Sequence, residues 1–84
     1  MSKKLYVGNL KFTTNTADLR AMFGEHGEVA EAIVIEDRET GRSRGFGFVE
    51  MSTAEEAQKA ISAMDGKNID GRQLKVNLAR ERSR

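Results

Sequence analysis

The spacing of apolar residues along this chain switches from two to near 3.6 and back again, twice over, and that order of periods admits few folds. Leu5-Tyr6-Val7-Gly8-Asn9-Leu10 alternates and predicts a strand, with Thr13-Thr14-Asn15-Thr16 after it as turn and helix cap. Leu19, Met22 and Phe23 then fall at i, i+3 and i+4, with Asp18 in the first turn and Gly24 and Gly27 as stops, which predicts a helix over 16–24. Val29 to Ile35 is β-branched, residues 37–43 are polar with Gly41 as turn residue, and Arg44 to Met51 resumes strand character, so the two segments form an antiparallel pair. Thr53-x-x-Glu56 is a capping box ahead of Ala57, Ala60, Ile61 and Met64 at helical spacing, closed by Gly66. Asn68 to Gly71 is a turn signal, and in Gln73 to Ala79 the residues Leu74, Val76 and Leu78 alternate against Lys75 and Asn77.

Strand, helix, strand, strand, helix, strand is the split β-α-β unit. The expected class is therefore α+β, a ferredoxin-like β-α-β-β-α-β sandwich with a four-stranded antiparallel sheet and both helices on one face. The other face stays uncovered. At 84 residues the chain can close one core and no second, which excludes multidomain enzymes. With no cysteine, disulfides, thiolate metal sites and a Cys nucleophile are excluded. No apolar run approaches the roughly 18 residues of a membrane span, nor does the N-terminal stretch suffice for a signal peptide, so an intracellular, cytoplasmic protein with no membrane partner is expected.

Alternation sets the faces. In Arg44-Gly45-Phe46-Gly47-Phe48-Val49-Glu50-Met51, residues 44, 46, 48 and 50 share one face and 45, 47, 49 and 51 the other. Burying the first set would place Arg44 and Glu50 in the core and expose Val49 and Met51, so Phe46 and Phe48 belong on the uncovered face. The same parity puts Tyr6 there, so that three of the five aromatics point to solvent, and such a cluster marks a binding surface. Gly45 and Gly47 read as leaving flat access to the rings. Ile33 and Ile35 also fall on the open face. They either widen an apolar floor or reflect a shifted second strand or a protein contact.

Arg44 to Met51 resembles the ribonucleoprotein octamer of the RNA recognition motif at every constrained position but the last, where Met51 replaces an aromatic on the core side. Leu5 to Leu10 is similar to that family's companion hexamer, which includes Asn9. The resemblance spans Lys4 to Ala79, and the small size suggests the single-domain bacterial members. It implies a domain over 1–79 with a loose basic tail over 80–84, acting without catalysis, cofactor or metal. The partner would be single-stranded RNA, with single-stranded DNA left open, and the protein a monomer. By the same resemblance Tyr6 and Phe48 each stack a base, Phe46 lies between riboses and Arg44 pairs with a phosphate. Lys75 and Asn77 on the last strand, and Arg80 just after it, are further candidates, alternatively a solvated sheet face.

Charge agrees with a sided molecule. The formal net charge is +1, yet residues 16–31 and 53–65 hold Arg20 and Lys59 against seven acids, a balance of −5 that leaves +6 for the remainder. Lys4, Arg42 and Arg44 are among the cations placed on strands and their joining loop, within reach of a phosphate backbone. Gly45-Phe46-Gly47 lacks the later residues of a nucleotide-binding loop, and His26 has no second ligand beside it. A hydrolase of acyl phosphates on this topology would need an Arg in the loop after the first strand, which offers Lys11. The remaining alternative is a protein-interaction module using the same apolar face.

Overall fold

The computed structural model describes residues 3–69 and 71–79. β1 is Lys4–Gly8, α1 Thr16–Gly24, β2 Val29–Glu36, β3 Ser43–Met51 and α2 Ala54–Met64; β4 Asn68–Ile69, β5 Arg72–Gln73 and β6 Lys75–Leu78 follow. The four long strands form one antiparallel sheet in the order β2-β3-β1-β6, while β4 and β5 make a separate two-stranded ribbon. The helices pack on a single face, α1 mainly on β2 and α2 on β6, β3 and β1.

The core lies between the layers. Leu5, Val7, Val49, Met51 and Val76 point from the strands toward Leu19 and Phe23 of α1 and Ala57, Ala60 and Met64 of α2. Phe23 has no exposed surface and is the largest side chain in that layer, so its ring alone removes 150–250 Å², an order-of-magnitude range for aromatics, from water.

Several local expectations change. β1 stops at Gly8 because Asn9 takes a left-handed backbone at φ 62°, although Leu10 beyond it is buried and its N–H still donates to the Gly45 carbonyl at 2.9 Å. The reciprocal capping box belongs to α1: Asn15 Oδ1 accepts from the Asp18 N–H at 2.8 Å and Asp18 Oδ2 from the Asn15 N–H at 3.2 Å. On α2, Thr53 caps the Glu56 N–H, but the Glu56 carboxylate also reaches across to accept from the Glu28 N–H at 2.9 Å, tying the helix start to the loop before β2. The last strand is shorter than its alternation suggests, since Arg72–Gln73 pairs with Asn68–Ile69 as the ribbon, and Leu78, on the edge strand, is 40% exposed.

Of the octamer's glycines, Gly47 serves the scaffold, and Gly45 a backbone turn beside Phe12. A Cβ on Gly47 would lie 2.5 Å from the Ile33 carbonyl oxygen and 3.0 Å from Leu19 Cδ2, so its absence lets α1 seat on the sheet. Gly45, at φ +85°, occupies the irregular stretch where pairing passes from Val34↔Gly47 to Glu36↔Ser43.

Candidate nucleic-acid interface

Register arranges the uncovered face in rows. Ile33 lies opposite Phe48, Phe48 opposite Tyr6, and Tyr6 opposite Asn77, so one row runs across all four strands of the sheet. The row toward the β1 C-terminus contains Phe46, Gly8 and Lys75, and the row toward its N-terminus contains Glu31, Glu50 and Lys4. The open-face position of Ile33 therefore comes from an unshifted register at that point, and it is 51% exposed. Ile35, half-buried, lies where the register shifts.

Tyr6, Phe46 and Phe48 are half-buried and mutually in contact, with centroids 5.8 Å apart for Tyr6–Phe46, 6.0 Å for Tyr6–Phe48 and 6.1 Å for Phe46–Phe48. Interplanar angles of 32°, 65° and 89° aim the ring faces in different directions, an arrangement suited to more than one flat partner. Gly8 is the bare spot that permits this. A Cβ there would stand 2.6 Å from the Tyr6 hydroxyl oxygen and 2.9 Å from its ring, so Tyr6 lies over its own strand.

Charge grades along the strands. At one end Lys4 Nζ sits 5.2 Å from the Phe48 centroid, beside the facing pair Glu31 and Glu50. Glu31 thus joins the open face and leaves the acidic helical side to which its sequence position assigned it. At the other end, Arg44 lines a groove together with Tyr6 and Phe46. Lys75 and Asn77 are exposed on β6, and Arg42 is exposed in the β2–β3 connection, outside that groove. Asn9 is committed internally: its Nδ2 donates to the Gln73 carbonyl at 2.8 Å and its Oδ1 accepts from Arg72 Nη1 at 3.1 Å. Arg80 and the rest of the tail at 80–84 lie outside the described residues.

Two residues absent from the sequence-based site stand at the platform's edge. Phe12 is 63% exposed, and the Arg72 guanidinium carbon lies 5.7 Å from its centroid. The available signal was an aromatic in a polar loop, outside both hydrophobic periods. Among the described residues, no group of three or more His, Cys, Asp or Glu converges as a metal site would need, and no helix is long and apolar enough to cross a membrane.

A two-layer sandwich whose uncovered sheet face carries contacting rings, flanked by arginine, defines a class of domain that binds through its sheet surface. The RNA recognition motif matches residues 5–75, and the chain belongs to that family. It is 58% identical over 83 residues to the mitochondrial glycine-rich RNA-binding protein 4 of Arabidopsis thaliana, covering 99% of this chain and 61% of that protein. With the chloroplastic 28 kDa ribonucleoprotein of Spinacia oleracea it is 54% identical over 83 residues, covering 99% and 36%. The protein of the Sxl-lethal protein/RNA complex superposes with a TM-score of 0.86 at 39% identity, over 92% of this chain and 47% of that one. The expected likeness to bacterial single-domain proteins is corrected by these relatives, which are plant organellar proteins of which the chain spans 61% or less.

Proposed function

We propose that this domain binds single-stranded RNA through its uncovered sheet, Tyr6 and Phe48 stacking bases, Phe46 lying against the sugars and Arg44 holding a phosphate. The observation that carries the reading is the triad of contacting, half-exposed rings with Arg44 opening beside two of them. Each base presents a π-face, and a stack contributes about 1–3 kcal/mol, so such a surface grips a strand with little regard to sequence. Lys4, Lys75, Asn77, Arg42 and Arg80 act as peripheral contacts to backbone and base edges, and Ile33 extends the apolar floor beside Phe48. Asn9, whose amide is bonded to the Gln73 carbonyl and to Arg72, orders the end of β1 beside the rings. Relatives named as RNA-binding proteins and ribonucleoproteins, and a structural neighbour in complex with RNA, support the reading.

The domain acts as a non-catalytic chaperone or stabiliser of transcripts, over 1–79 with 80–84 as a basic tail, and as a monomer. A cytoplasmic site of action is part of the proposal, set against relatives that are mitochondrial and chloroplastic. Recovery of the protein with organelles on cell fractionation would overturn that part. The test of the binding mode is Phe48→Ala. Short-RNA affinity is expected to fall by about 1–3 kcal/mol with the thermal midpoint close to unchanged, because an outward ring is removed. Wild-type affinity in the folded variant would contradict the platform.

A further inference from the structure

The groove beyond the ring triad is lined by Tyr6, Phe46, Arg44, Phe12, Arg72 and Asn9 among others, and no described residue lining it carries a carboxylate. Two guanidiniums lining one concavity with no carboxylate give it a positive potential that favours an anion. Arg72 is moreover held in place. Asn9, fixed by its bond to the Gln73 carbonyl and turned by its left-handed backbone, accepts from the guanidinium on one side, while the Phe12 ring supports it on another. Phe12 itself stays 63% exposed, with one edge of its ring over Gly45, where a Cβ would stand 3.3 Å from Cε1, and the rest of the ring open to solvent. Tyr6 and Phe46 belong to both the platform and the groove, so a strand leaving the rings enters it directly.

We propose that this groove is a second subsite taking one further nucleotide of the bound RNA, its phosphodiester between Arg44 and Arg72 and its base against Phe12. The subsite rests on the RNA-binding reading and lengthens the footprint past the sheet. A guanidinium offers phosphate a forked pair of donors, and the ring offers any base a stacking face.

The test compares wild type, Phe12→Ala, Arg72→Gln and Phe48→Ala, each against an RNA of about three nucleotides, which fills the platform alone, and one of about eight. Phe12→Ala and Arg72→Gln are each expected to weaken the longer RNA about five- to a hundredfold while leaving the shorter within about twofold. Arg72→Gln is also expected to lower the salt slope by about 0.7 for the longer RNA only. Phe48→Ala weakens both. If the Phe12 and Arg72 variants match wild type on the longer RNA, or lose both lengths equally, the subsite is wrong while the platform stands. If wild type binds neither length, the RNA-binding reading fails and the subsite with it. Phe12 is outside the core, so Phe12→Ala keeps the fold, and thermal unfolding checks that it has.

Discussion

Gly8 and Gly47 sit on adjacent strands and face opposite sides, and the atoms around them assign opposite consequences to the same small substitution. At Gly8 a methyl group meets the far end of the Tyr6 side chain, which can swing away; at Gly47 it meets the Ile33 backbone carbonyl, which cannot. Gly8→Ala is therefore expected to lower RNA affinity several-fold by displacing Tyr6, with a nearly unchanged unfolding midpoint, whereas Gly47→Ala is expected to cost about 1–3 kcal/mol in urea unfolding. A destabilised Gly8→Ala with normal binding would contradict the placement of Tyr6. At this scale the sequence was informative where parity decides: the open-face assignment of Tyr6, Phe46 and Phe48 follows from keeping Arg44 and Glu50 out of the core. It misled where a side chain's direction depends on a neighbouring element. Nothing in the alternation reveals that Gly47 makes room for Leu19, or that Phe12 supports Arg72 across 60 positions of chain.

Edges and ends show how the elements are held. β2 and β6 are the outer strands, and each has a ladder N–H closed by a side chain: Val34 N–H donates to Thr16 Oγ1 at 3.1 Å, and Val76 N–H to Asp65 Oδ1 at 3.0 Å. Arg20 Nη1 likewise donates to the Val29 carbonyl at 3.1 Å. These bonds blunt the sheet edges and fasten each helix to its strand. Asp65→Ala is expected to lose roughly 1–2 kcal/mol of stability, more than an ordinary surface change, by freeing a partly buried N–H. An unfolding midpoint equal to wild type would show the edge bond to be dispensable. Helices and long strands were legible because their periods persist over several turns or residues. The β4–β5 ribbon escapes the periodicity because two-residue strands carry no period, and Leu78, which alternates with Leu74 and Val76, is nonetheless 40% exposed.

Over the whole molecule, a net charge of +1 divides between an acidic helical layer and a basic remainder, and the described sheet face repeats the division along its strands, from Glu31 and Glu50 to Arg44 and Arg72. Weak net charge with local arginine implies that stacking supplies most of the affinity and a few phosphates the salt dependence. Arg44→Ala is thus expected to lower the slope of log affinity against log salt by about 0.7, the single-strand value for one phosphate, without altering base preference. An unchanged slope would make Arg44 structural. The central claim is that the uncovered sheet is the RNA-binding surface. Titrating isotope-labelled protein with short RNA, and following each backbone amide by nuclear magnetic resonance, tests it most directly. Shifts centred on Tyr6, Phe46 and Phe48, spreading to Arg44 and leaving the outer faces of α1 and α2 still, are the expected result. Shifts centred on the helices, with the three rings unmoved, would contradict it.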